Sequence, residues 1–230
     1  MRYIITMVAL AGSLAGQSFD IGLGRTFSGI VKGADGAALP NAMLALKYSV
    51  KESTVRKSDW RAVSDAQGSF QFSGLPDGTF ELYAQAPGGI WLNPCEWDKP
   101  IGVSIAYTQK LLQQDVTLAK GASVLVDVED PNELLTRYAT TPGAHLLVGA
   151  TTKNLIFKPA QLQAAGSKLH TYESVVPPNM TVTIAISSAT FALSNMSGTA
   201  LKETTIIPVV ASSVQEPVRI SLTVTGVKGK

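Results

Sequence analysis

The stretch SDAQGSFQFSGLPDGTFELYAQAPG, Ser64 to Gly88, decides the fold. It holds two short runs in which apolar and polar residues alternate. Phe70 and Phe72 flank Gln71, and Phe80, Leu82 and Ala84 alternate with Glu81, Tyr83 and Gln85. Period two is the mark of a strand with one face on a core. Gly68 and Gly78 stand where tight turns favour positive φ, and Pro76 presets its own φ as the chain leaves the first run. Each large side chain on the inner face contributes on the order of 1.5–3 kcal/mol when fully buried. The stretch has no nucleophile paired with a base, no histidine and no phosphate loop, so it predicts a folding unit and not an active site.

The same alternation recurs on both sides. Leu44 and Leu46, Val116 and Leu118, then Val124, Val126 and Val128, then Val182, Ile184 and Ile186 all read as strands. The last is Val218, Ile220, Leu222 and Val224, set between Arg219, Ser221, Thr223 and Thr225. One helix is expected: Asp130 as N-cap, Pro131 at the first helical position, Glu133 three residues after the cap, and about two turns before Thr140 to Gly143 stop it. The segment Leu75 to Ala84 (LPDGTFELYA) is echoed by Val176 to Ala185 (VPPNMTVTIA), each a proline-containing turn that launches a strand. This echo predicts an all-β chain of two consecutive antiparallel β-sandwiches, residues 17–120 and 121–226, with a basic tail at 227–230.

Extended backwards to Phe27, the opening stretch joins FSGIVKGADGAALPNA, Phe27 to Ala42. The order G-x-V, D-G turn, L-P-x-A, S-D-A-Q-G-S-F, G-L-P-D-G-T-F resembles the carboxypeptidase regulatory-like domain over residues 27 to about 119. The resemblance implies a transthyretin-like (prealbumin-like) sandwich of seven strands in an exported protein, and it implies no particular activity. Collagen-adhesin B-type domains share the turn pattern and form an internal isopeptide bond. Lys32 could stand for their lysine, but Ala84 occupies the place of their glutamate. Residues 121–226 resemble only the repeated sandwich domains that follow such modules.

The N-terminus, MRYIITMVALAGSLAGQSFD, has Arg2, an apolar run from Ile4 to about Leu14, and small residues at Ser13 and Ala15. That run is too short for a membrane span, and residues 1–16 read as a secretory signal peptide. The expected location is therefore periplasmic, secreted or cell-surface. The 230 residues carry a formal net charge of +2 with no run of like charges, so nothing points to a nucleic-acid face. Cys95 is the single cysteine, which rules out an internal disulfide and leaves a partly buried thiol or an intermolecular link. Asn179-Met-Thr and Asn195-Met-Ser match the glycosylation pattern.

No catalytic set, cofactor loop or metal motif emerges, and the chain reads as non-enzymatic. His145 and His170 are the only histidines. His170 lies two residues before Tyr172, which invites comparison with the two-tyrosine, two-histidine iron of intradiol dioxygenases, but the twenty-five residues between the histidines favour surface or half-buried roles. The C-terminal Gly-Val-Lys-Gly-Lys lacks the tail of transthyretin-like hydrolases. Asp127, Glu129, Asp130 and Glu133 crowd together without the alternation of a calcium loop. The stretch that stands out is residues 87–101, where Trp91, Asn93, Glu96, Trp97 and Asp98 combine indoles, an amide and carboxylates. Such a set suits stacking on a sugar or a peptide, and its bland counterpart is two tryptophans that pin the loop against the sheet or fill a seam between domains. The expected partner is a glycan or a cell-surface protein. The competing expectation is a structural subunit that self-associates by strand addition, with the final strand as the joining edge.

Overall fold

The computed structural model describes residues 24–49, 59–97, 99–152 and 156–229. The expected signal peptide and Asp98 lie outside them. The first sandwich contains β1 (Arg25–Gly33), β2 (Met43–Tyr48), β3 (Asp59–Val63), β4 (Ser69–Leu75), β5 (Gly78–Gln85), the one-turn helix α1 (Pro94–Trp97), β6 (Ile101–Ile105), β7 (Leu111–Gln113) and β8 (Val116–Leu118). One sheet sets β1 between β4 and the pair β7 and β8, and the other runs β3-β2-β5-β6. Between them lies a core of Phe27, Val31, Leu44, Leu46, Trp60, Phe70, Phe72, Phe80, Leu82 and their neighbours. The alternating residues of Ser64 to Gly88 are its centre: Phe27 stacks against Phe72 with centroids 5.9 Å apart and meets Phe70 edge-on at 5.3 Å.

The turn chemistry explains why the motif has its spelling. Asp65 Oδ1 accepts hydrogen bonds from the Gln67 and Ser69 amides at 2.9 and 2.8 Å, a side-chain turn that only Asp or Asn makes well. Ser64 is buried; its Oγ accepts from the Ala42 amide at 2.9 Å and donates to the Leu39 carbonyl at 2.7 Å. The L-P-x-A and S-D-A-Q-G segments are therefore two halves of one hydrogen-bonded corner.

β7 and β8 keep one register against β1, with Ser28 opposite Gln113 and Val31 opposite Val116, and form a single edge strand broken at Gln114 and Asp115. Counted so, the sandwich has seven strands. At the break, Asp115 Oδ1 accepts the Ile30 amide proton at 3.1 Å in place of a ladder carbonyl. The strands approach so closely there that a Cβ on Gly29 would stand 2.0 Å from the Gln114 carbonyl oxygen.

The second sandwich comprises β9 (Ala122–Glu129), α2 (Leu134–Arg137), β10 (Leu147–Thr151), β11 (Phe157–Pro159), β12 (Gln161–Ala165), β13 (Leu169–Val176), β14 (Thr181–Ser187), β15 (Phe191–Asn195), β16 (Thr204–Val210) and β17 (Val218–Val227). Its sheets are β12-β13-β9-β17-β15 and β11-β10-β14-β16. The two halves share a wiring plan. The first strand of each pairs antiparallel with a later strand (β1 with β4, β9 with β13) and parallel with the last (β1 with β7 and β8, β9 with β17). In the opposite sheets β2 pairs with β3 and β5 as β10 pairs with β11 and β14. The echoed segments launch β5 and β14, which hold equivalent places in this plan, and each turn contains a positive φ, at Gly78 and at Asn179.

The sheets are predominantly antiparallel, as expected, and each sandwich closes by laying its last strand parallel to its first, a long-range pairing that period-two alternation does not encode. Two expectations need correction. The expected two-turn helix is the four-residue α2: Glu133 takes a left-handed φ of 54° and delays the start to Leu134. Asp130 still caps it, its Oδ2 accepting the Leu135 amide proton at 2.6 Å. Finally, β17 lies between β9 and β15 and is not the edge strand of its sheet, although its first half, Val218–Ser221, pairs with β9 alone and its second half, from Val224 on, with β15 alone. Among the described residues no helix is long and apolar enough to cross a membrane.

Candidate functional site

The connection from β5 to β6 and the linker into β9 are built against each other. The Leu92 amide donates to the Ala119 carbonyl and the Gly121 amide to the Ile90 carbonyl, both at 2.9 Å, a short antiparallel pairing between loop and linker. Lys120 Nζ lies 5.2 Å from the Trp91 ring centroid and 3.2 Å from Asp35 Oδ2. A Cβ on Gly121 would fall 2.3 Å from Val175 Cγ1 and 2.8 Å from Leu92 Cδ2, so the linker passes where only glycine fits.

Of the five residues singled out in the loop, the four described ones are divided between the two sandwiches. Trp91, 8% exposed, belongs to the first core, whereas Trp97, 3% exposed, packs with Leu92 in the second core. Neither indole presents a face to solvent, so they fill the seam, and the stacking platform expected from the sequence has no exposed ring. The reason is tertiary: Trp91 is taken into the core of the first sandwich and Trp97 into that of the second. Asn93 Oδ1 accepts the Cys95 amide proton at 3.1 Å and orders the turn of α1. Glu96 reaches across to the second sandwich, where its Oε2 is 2.5 Å from Lys158 Nζ.

Lys158 opens onto a crevice of about 280 Å³ between the sandwiches. Gln85 and Gly89 line it from the first, and Lys158, Gln161, Glu173 and Ser174 from the second. Ala150, Pro159 and Val175 complete the lining, which mixes amide, carboxylate, ammonium and hydroxyl groups with apolar surface. Ser174 is buried, and its Oγ has no hydrogen-bond partner among the described residues. Glu173 is held by Ser123 Oγ and, at 2.6 Å, by Gln163 Nε2. Apart from Glu96, whose Lys158 partner lines the crevice, none of these residues was singled out in the sequence. Lys158, Gln161, Glu173 and Ser174 leave a weak signal because they sit in or beside strands a long way along the chain from the loop, whereas Gln85 and Gly89 adjoin or belong to it.

The other candidate chemistry is dispersed. Asp127 is engaged by Arg219 Nη1 at 2.6 Å and Thr171 Oγ1 at 2.7 Å, and Asp130 turns inward to its helix. Among the described residues no three or more His, Cys, Asp or Glu side chains group so as to hold a metal. Lys32 faces outward and pairs with Asp115 Oδ2 at 2.8 Å, while Ala84 is buried in the core. The Cys95 Sγ donates to the Leu82 carbonyl at 3.5 Å. Burial, then the charges of Glu81 and Glu96, pushes its thiol up to about 11. His170 is buried, contrary to the surface or half-buried role read from the sequence, because β12 and α2 close over its end of β13.

Residues 26–90 match the family model of the carboxypeptidase regulatory-like domain. The matched residues span β1 to β5 and the start of the loop, and they include Gln85 and Gly89 of one crevice wall. No curated protein matches the chain in sequence. Among solved structures, the chain is similar to a streptococcal ancillary pilin at 10% identity and a TM-score of 0.47, over 87% of this chain and 62% of that one. A minor pilin of Streptococcus agalactiae is similar at 12% identity and a TM-score of 0.43, over 87% and 96%. Chlorocatechol 1,2-dioxygenase from Pseudomonas putida is similar at 12% identity and a TM-score of 0.29, over 42% and 60%. The chain spans less than two thirds of the length of the first of these.

Proposed function

We propose that the chain is a non-catalytic, exported β-sandwich module that binds a polyhydroxylated ligand, a short glycan segment, in the crevice between its two sandwiches. The observation that carries this reading is a cleft lined by Gln85, Lys158, Gln161, Glu173 and Ser174, the last with a buried hydroxyl that has no hydrogen-bond partner among the described residues. A buried hydroxyl without a partner is costly, and a sugar hydroxyl would satisfy it. Ligand pockets commonly run about 300–1,000 Å³, so a crevice of about 280 Å³ suits one or two rings and not a long chain. Glu96 and Asn93 serve the site indirectly, the first by holding Lys158 and the second by ordering the loop turn.

The test is a glycan array followed by calorimetric titration of the best hit. Binding that falls at least tenfold in Ser174→Val combined with Gln161→Ala supports the proposal. A hit that keeps wild-type affinity in that double variant, or an array with no hit at millimolar glycan, overturns it.

A second reading, assembly by strand addition, is favoured by one observation. The β16 edge exposes Ile206 and Val210, at 63% and 51%, although Pro208 removes one ladder donor from it. Size-exclusion chromatography across a hundredfold range of concentration decides it, since a monomer throughout removes self-assembly.

A further inference from the structure

The second sandwich has another cavity, at the opposite end of β13 from Ser174. It is an open hollow of about 640 Å³ beneath α2 and the β12 to β13 turn. Its walls include Leu135, Leu146, Leu162, Tyr172 and Phe191, with His145 exposed and His170 buried, and none of the described residues lining it is Asp, Glu, Lys or Arg. His170 is 7% exposed, and its Nε2 has no hydrogen-bond partner among the described residues. Buried imidazole nitrogens are normally paired, and leaving one unpaired costs free energy that an incoming polar group would recover.

We propose that this cavity binds a small uncharged aromatic alcohol, with His170 Nε2 hydrogen-bonded to the ligand hydroxyl. Three features select this class. A hydroxyl can donate or accept, so it satisfies Nε2 in either neutral tautomer of the imidazole. A charged ligand would be desolvated against walls that offer it no counter-charge, which is unfavourable. The half-buried Tyr172 ring favours offset or edge-on contact with another ring. Burial also holds the Tyr172 phenol above its usual range, as an apolar setting requires. No step of chemistry is implied, because no carboxylate among the lining residues orients either histidine as a base. The proposal is independent of the glycan crevice, which shares no lining residue with it.

The experiment titrates the full chain with benzyl alcohol, benzoate and benzylamine while recording the side-chain nitrogen resonances of the two histidines. Benzyl alcohol is expected to shift the His170 Nε2 resonance saturably, with the two charged analogues binding at least tenfold more weakly. His170→Phe, which keeps the ring volume and removes the nitrogen, should weaken benzyl alcohol at least tenfold. Leu146→Trp, which fills the hollow from a partly buried position, should abolish binding. Thermal melts check that both variants are folded; if His170→Phe is not, the wild-type resonance shift and Leu146→Trp decide the matter. An unmoved His170 resonance up to the solubility limit, equal binding of all three probes, or unchanged affinity in the folded variants overturns the proposal.

Discussion

Cys95 shows how little a residue's type says about its reactivity. The sequence offers one cysteine, and an intermolecular link was open to it. In the fold its thiol is partly buried beside Glu81 and Glu96 and is raised from 9.0 to about 11. Since the thiolate is the nucleophile, this shift leaves roughly one hundredth of the reactive form that an unperturbed thiol has at pH 8. Alkylation of native Cys95 by iodoacetamide at pH 8 is expected to be at least about 50-fold slower than in the unfolded chain, measured by mass spectrometry. Equal rates would refute the burial. The sign also fixes a pH effect. The folded form holds the proton more tightly, so this contribution to stability is complete below pH 9 and is lost as pH rises toward 11. Ser64 and His170 make the same point about polar residues. The S-D-A-Q-G spelling marks Ser64 as part of a turn, but only the packed corner shows its hydroxyl bridging Ala42 and Leu39.

At the scale of elements, the alternating ladders name β2, β4, β5, β8, β9, β14 and β17 directly, since a strand with one covered face writes its period into the chain. β10 and β13 escape that reading for different reasons. Val148, Gly149 and Ala150 of β10 are buried in succession, and β13 spends two of its inward positions on His170 and Ser174. The break between β7 and β8 is equally invisible, because it depends on β1 approaching from 85 residues away. It makes a sharp prediction. Gly29→Ala would drive a Cβ into the Gln114 carbonyl, so the edge strand must shift, at a cost of about 1–3 kcal/mol in denaturant unfolding. A loss below about 0.5 kcal/mol would mean the strands are farther apart than described. Lys32→Ala, which removes only a partly exposed ion pair with Asp115, should cost far less.

Across the whole molecule, the decisive feature is that Leu92 and Trp97 leave the first sandwich and complete the core of the second. Two domains joined by a plain linker would melt separately, whereas a shared core couples them. The chain is therefore expected to unfold in one calorimetric transition. Trp97→Ala should cost about 3–5 kcal/mol and split the melt in two, with the second sandwich unfolding first. Two transitions in the wild type would show that the seam does not couple the sandwiches. Disrupting Glu96 with Lys158 tests only the rim of this junction and should leave the single transition in place.

The sheets and turns of this protein were legible in its residues because strand period, turn chemistry and the preference of glycine and asparagine for positive φ act between near neighbours. Even the shared plan of the two halves left a trace, in the paired segments that launch β5 and β14. The junction crevice, the burial of both loop tryptophans and the hollow beside His170 depend instead on which surface each strand meets after folding. Those contacts join residues far apart in the chain, such as Glu96 with Lys158, 62 positions on, and no local pattern in the chain records them.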